Sequence, residues 1–128
     1  MIPVVHTHAL VIALSMEATW RESTEMTGSK DWPHGYCVDA SVALLEELGQ
    51  KLPEAGAEYI WGTFVTKVGP GPVFAIEHAW LELVGGFVLD ITVGQFFKKT
   101  PPLPLITPNS LIHPRYVVTE RAPAWSCC

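Results

Sequence analysis

The hydrophobic period of the chain changes once, between Leu48 and Glu58, and that change limits the folds open to it. In "CVDASVALLEEL", from Cys37 to Leu48, apolar residues recur at Val38, Val42, Leu45 and Leu48, close to the i, i+4, i+7 spacing of one helix face. Asp39, Glu46, Glu47 and Gln50 fall largely on the other side, and Gly49 stands where a helix terminator is expected. After "KLPEAGA" the pattern is that of strands. "EYIWGTFVTKV" (58–68) is rich in β-branched and aromatic residues, and "VFAIEHAWLEL" (73–83) and "FVLDITV" (87–93) read as a hairpin around Gly85-Gly86. "GPGP" (69–72) breaks the first strand from the second. A last strand is expected at "RYVVTE" (115–120), at a sheet edge. A helix followed by antiparallel strands makes an α+β domain.

Upstream, "MIPVVHTHALVIALSMEATW" predicts a buried helix over about residues 8–25 with Thr7 as its N-cap. This apolar start lacks a basic leader and soon runs into Glu17, which argues against a targeting segment. It is also too short and interrupted for a membrane span. "TGSKDWPHGY" (27–36) is loop, and the stretch 98–114, with five prolines, reads as one long irregular loop. Neither a repeat nor a linker is visible, so residues 1–128 are expected to form one domain.

The charge balance removes one class of partner. Net charge is −5 and Lys and Arg do not cluster, which argues against a footprint for nucleic-acid phosphates. The cysteines, at 37, 127 and 128, do not make a disulfide framework, so a reducing, cytoplasmic setting is expected. Cys127 and Cys128, in "WSCC", resemble a dual-prenylation tail or a weak soft-metal site but fit a frayed terminus better.

Cys37 is the chemically telling residue. A thiol attacks a carbonyl only as thiolate, so something must lower its pKa. The first turn of a helix does this in part, through its unpaired N–H groups and macrodipole. Asp39 works mildly against it, so a partner base is required. His78 and Asp90 are the candidates. An Asp amid "FVLDI" needs a partner on its own account, because burying an unpaired carboxylate is costly.

Whether those two meet depends on the hairpin register. A two-residue turn at Gly85-Gly86 sets Asp90 opposite Leu81 and sends His78 and Asp90 to opposite faces. A three-residue loop at Val84–Gly86 pairs His78 with Thr92 and Trp80 with Asp90, placing Asp90 diagonal to His78. A loop at Gly85–Phe87 pairs His78 with Gly94 and Glu82 with Asp90, two carboxylates face to face. A catalytic role therefore demands odd loop parity, or a bulge that restores it.

"GYCVDASVALLEELG", "HAWLELVGG" and "VLDIT" together resemble the transglutaminase-like and papain-like cysteine enzymes. The likeness is to bacterial members with a Gly-x-Cys helix start, a His-Ala-Trp strand and an Asp-x-Thr strand, in that order, and it spans about residues 32–97. It implies a central helix carrying Cys37 packed on an antiparallel sheet carrying His78 and Asp90. Cys37 would be the nucleophile, His78 the general base and acid, and Asp90 the group orienting the imidazole. The implied reaction is acyl transfer on a peptide or glutamine amide, with neither metal nor organic cofactor. The chain lacks the upstream Gln or Asn that papain-like enzymes use for the oxyanion. The Cys37 N–H can supply one donor, and Trp32 or Gln95 is a candidate for the second.

Other functions fit some of these residues. A non-catalytic relative would use the same cleft for binding, and an amine acceptor would make the chemistry cross-linking. His34, Cys37, His78 and Asp90 contain a ligand-like His-x-x-Cys spacing, but no Cys-x-x-Cys or His-Glu-x-x-His run accompanies it. Trp61 and Trp80 read as core, and His6, His8 and His113 as surface residues.

Overall fold

The computed structural model describes residues 1–26, 36–67, 72–97 and 101–122. The segments with strand composition form one antiparallel sheet. Its strands are β1 (Glu58–Lys67), β2 (Val73–Leu83), β3 (Phe87–Leu89), β4 (Leu105–Ile106) and β5 (Tyr116–Ala122), in the order β4-β3-β2-β1-β5. Alternation along the strands sorts side chains onto two faces. Tyr59, Ala79, Leu81, Leu83, Phe87 and Leu89 are buried beneath the helices. Ile60, Phe64, Trp80, Val88 and Tyr116 are buried on the opposite face, with Phe96, Phe97 and Ile112 packed over them.

Two helices, α1 (Val4–Met26) and α2 (Cys37–Lys51), cover the first face. The chain is thus α+β, as its change of period requires. Helix α1 begins a turn earlier than expected, because the Pro3 carbonyl accepts the N–H groups of His6 and Thr7 at 3.0 and 3.2 Å. Thr7 is therefore inside the helix and not its cap. The helix is amphipathic, not buried all round: Ala9 and Ala13 reach the core while Val4, Val11 and Leu14 face solvent. In α2 the fully covered residues are Ala40, Ser41, Leu44, Leu45 and Leu48. The buried stripe is thus rotated from Val38 and Val42, both half-buried, towards the side that carries Cys37. Gly49 does not end α2, which runs on to Lys51 and stops before Pro53, where a missing N–H and a fixed φ forbid another turn.

The β2–β3 connection is the three-residue loop Val84–Gly86, pairing Leu81 with Leu89 and Leu83 with Phe87. Gly85 and Gly86 take φ of 90° and 80°, which side-chain-bearing residues rarely adopt. Two histidines expected at the surface hold this loop instead. His6, only 1% exposed, places Nε2 2.6 Å from the Val84 carbonyl, and His113 Nε2 lies 2.8 Å from the Gly86 carbonyl. The Val84 N–H donates to Ala55 at 3.0 Å.

Strand β3 ends at Leu89, four residues short of the expectation: the Asp90 N–H still reaches the Pro104 carbonyl at 2.8 Å, in register with the β3–β4 pair, but pairing with β2 does not continue past Leu89. The chain then enters a 3₁₀ turn at Val93–Phe96. The proline-rich segment is correspondingly not all irregular. It contributes β4, whose Leu105 and Ile106 pair with Leu89 and Val88, and a 3₁₀ turn at His113–Arg115. Strand β5 is the sheet edge expected of it, and a bulge interrupts its pairing with β1 between Trp61 and Gly62. A Cβ on Gly62 would fall 2.1 Å from the Val117 carbonyl oxygen and 2.7 Å from Trp80, so only glycine fits there. Among the described residues, no helix is long and apolar enough to cross a membrane.

Candidate active site

The loop parity decides the polar centre. With Val84–Gly86 as the turn, continuation of the β2–β3 register sets Trp80 level with Asp90 and His78 level with Thr92. His78 Nε2 lies 2.7 Å from Asp90 Oδ2, with both side chains almost wholly buried. The same Oδ2 accepts the Tyr116 hydroxyl at 2.8 Å, while Oδ1 accepts the backbone N–H and the hydroxyl of Thr92 at 3.1 and 3.2 Å. Four donors thus meet one buried carboxylate, which is how a buried charge is tolerated. Burial and the Asp90 charge hold the Tyr116 hydroxyl far above its usual range, so it acts as a permanent donor. Phe96 packs edge-on against the His78 ring at 4.8 Å, and Phe64 stacks on Phe96 at 3.9 Å. Opposite His78 on β1 stands Gly62, the residue that also leaves room for Trp80.

Cys37 comes to this pair from the other side of the sheet. Helix α2 lies on one face, whereas the pleat sends His78 to the other. They meet because β3 stops at Leu89 and leaves the neighbouring edge of β2 open. Ala79 presents its backbone there: its carbonyl accepts the Ser41 hydroxyl at 3.3 Å, and its N–H supports the Cys37 sulfur. Ser41 and Cys37 are one helical turn apart, so both anchor α2 to the same residue of β2.

The electrostatics favour a thiolate–imidazolium pair. Burial pushes the Cys37 thiol up, but hydrogen bonding to His78 and to the Ala79 N–H, with the charge of the imidazolium, outweighs it and leaves the thiol lowered. For His78, burial opposes protonation, yet the Asp90 charge and hydrogen bond, with Cys37 behind them, raise it to about 9. Asp90 on Nε2 leaves Nδ1 as the nitrogen that serves the sulfur. Helix α2 adds to this: its first internal bond runs from the Ala40 N–H to the Tyr36 carbonyl, leaving the N–H groups of Cys37, Val38 and Asp39 without helical acceptors.

Gln95 reaches the same nitrogen. Its Nε2 donates to Thr92 Oγ1 at 3.1 Å and lies 3.4 Å from His78 Nδ1. Trp32 and His34 lie outside the described residues, as do Cys127 and Cys128. Among the described residues, no group of three or more His, Cys, Asp or Glu side chains is placed to hold a metal ion. Trp80 is fully buried, and Trp61 packs against the helix-side core. Sequence reasoning missed Tyr116, Thr92, Ser41 and the Pro104 carbonyl. Thr92 alone carried a signal: an Asp two residues before a Thr is a common Asx-turn pattern, in which the Asp oxygen takes the N–H two positions on.

Comparison with protein-family models, with characterised proteins and with solved structures finds no match to the chain. The likeness to cysteine enzymes therefore rests on its three sequence motifs alone.

Proposed function

We propose that the protein is a cysteine-dependent amide hydrolase of the papain/transglutaminase type, acting on a peptide or protein. The observation that carries this is the convergence of sulfur, imidazole and carboxylate from three separate segments at a helix start. A structural cysteine needs only packing; it has no use for a buried imidazolium fixed by a fully bonded carboxylate.

The chemistry follows from the proton inventory. Cys37 rests as thiolate and His78 as imidazolium. The sulfur attacks the amide carbon, and the carbonyl π electrons move to oxygen, where the Cys37 N–H receives the developing charge. His78 Nδ1 gives its proton to the departing amine as the C–N bond breaks, leaving a thioester. Neutral His78 then takes a proton from water, the hydroxide oxygen attacks the thioester, and collapse expels the thiolate and restores the pair. Asp90 holds the ring by Nε2 and stabilises its charge throughout. While Nδ1 carries its proton to the thiolate, the second Gln95 amide hydrogen has no acceptor on the ring. That hydrogen is the second oxyanion donor in this scheme. If an amine replaces water in the last step, the product is a cross-link.

The test is direct trapping. Incubation with p-nitrophenyl acetate, followed by acid quench and peptide mapping, should find the acetyl group on Cys37, with a burst of one equivalent of nitrophenol. Burst and label should vanish in Cys37→Ala and fall at least a hundredfold in His78→Ala, from about two decades for general acid–base catalysis. A native protein that takes no label on Cys37 would leave a binding module on the same fold.

A further inference from the structure

Strand β2 is eleven residues long, but β3 covers only Leu81, Glu82 and Leu83 of it. On that side, among the described residues, nothing pairs with Val73–Glu77, and all five are exposed. Parity tells which backbone groups face outward. The Leu83 carbonyl accepts the Gly86 N–H of the β2–β3 loop, and Ala79 turns its carbonyl outward to Ser41. The N–H and C=O groups of residues two apart point the same way along a strand. Val73, Ala75 and Glu77 therefore present theirs on this open edge, while Phe74 and Ile76 bond inward to β1.

An exposed, apolar edge invites pairing with another chain, and proteins usually blunt one with charge, proline or a bulge. Here Val73, Phe74 and Ile76 are 58%, 53% and 43% exposed; Pro72 before the strand and the charge of Glu77 guard only its two ends, and among the described residues the edge between them is uncovered. It also runs straight into Ala79, the residue that touches Cys37. We propose that Val73–Glu77 is the substrate-docking strand, which takes an extended peptide as an added β-strand and leads its backbone to Cys37. In the antiparallel sense of every pair in this sheet, the peptide runs from Ala79 towards Val73. The residues that follow the attacked carbonyl then lie along the edge. Main-chain hydrogen bonds supply the affinity, and side chains at alternate positions meet Phe74 and Ile76. The substrate class is an unfolded or extended polypeptide with apolar residues at alternate positions, not a glutamine side chain on a folded surface.

The inference rests on the amide-hydrolase reading for its chemistry, but the docking is tested apart from it. Ala75→Pro removes one outward N–H, a change an edge strand tolerates. With a pool of end-capped decapeptides bearing apolar residues at alternate positions, A75P should lower the ratio of peptide to p-nitrophenyl acetate kcat/KM at least tenfold. An unchanged ratio overturns the proposal while leaving the hydrolase intact. Hydrogen exchange on Cys37→Ala gives a second reading that needs neither turnover nor the proline variant. The same pool should slow exchange at the Ala75 and Glu77 amides. Lack of protection overturns the proposal, as does protection that grows with protein concentration in the absence of peptide, which would assign the edge to a second copy of the chain. Failure of wild type to acylate on any donor would sink the hydrolase and leave the exchange result to decide the edge.

Discussion

At the scale of single residues, burial opposes both charges of the site and their hydrogen-bonded partners outweigh it. Asp90 is the pivot, because it takes four hydrogen bonds without exposure to water. Asp90→Asn turns an acceptor into a donor facing His78 and Tyr116. It should cost about 3 kcal/mol in urea unfolding, the usual scale for breaking a buried ionic contact. It should also drop His78 below its ordinary pKa, since burial is then the largest influence left. Proton linkage gives a sharper check. His78 is raised to about 9 in the folded protein, so its contribution to stability is fully present below the unfolded value of about 6.5 and is lost as pH rises through about 9. Cys37 is lowered on folding, so its own contribution grows with pH and opposes that loss in the wild type. Cys37→Ala removes this opposition together with the Cys37 hydrogen bond and charge that help to raise His78, and leaves Asp90 as the support of the imidazolium. Urea unfolding of Cys37→Ala should therefore still show stability falling as pH rises above about 6.5. A variant without that fall would show that Asp90 does not hold the imidazole charged.

At the scale of elements, parity matters more than propensity. The helix start at Cys37, strands β1 and β2, and edge strand β5 are legible because each carries a long periodic pattern or a dense β-branched run. The His78–Asp90 contact is legible only as a condition, since three loop assignments remain open in "LVGGF" and each sends Asp90 somewhere different. Two left-handed glycines and the grip of His6 and His113 choose among them, and neither histidine has a spacing that announces it. Strand β4 is two residues among prolines, too short for any period to show. Tyr116 is visible as a strand residue but not as a partner of Asp90, because long-range pairing leaves no local trace. Two changes test the element scale. Deleting Gly85 shortens the loop to two residues, turns Asp90 to the other face and should abolish Cys37 acylation while the protein still folds around the same strands. Gly62→Ala forces a methyl against the Val117 carbonyl and Trp80, and should cost about 1–3 kcal/mol by thermal or urea unfolding.

At the scale of the molecule, two layers of opposite character meet at one open strand edge. The helix side is an aliphatic core that brings the sulfur. The other side is an aromatic shell of Phe64, Phe96, Trp80 and Tyr116 that keeps water from the imidazole–carboxylate pair. Helix α1 touches the site's surroundings at two places: its Trp20 ring packs edge-on against Tyr36, just before Cys37, at 5.8 Å, and His6 holds the β2–β3 loop, remote from the sulfur. His6→Ala should therefore lower stability by about 1–3 kcal/mol, from the lost hydrogen bond and packing, without changing the alkylation rate of Cys37 in the folded protein. The central claim is that Cys37 is held as a thiolate by an imidazolium fixed on Asp90. It is tested most directly by the pH dependence of iodoacetamide alkylation, with the label mapped to Cys37 to separate it from Cys127 and Cys128. The native protein should react with a midpoint below the ordinary thiol value of about 8.5, and His78→Ala should move that midpoint above it, where burial and the Asp90 charge are opposed only by the Ala79 N–H. A native midpoint at the ordinary value, unmoved by His78→Ala, or a thiol that reacts only on unfolding, would contradict the account.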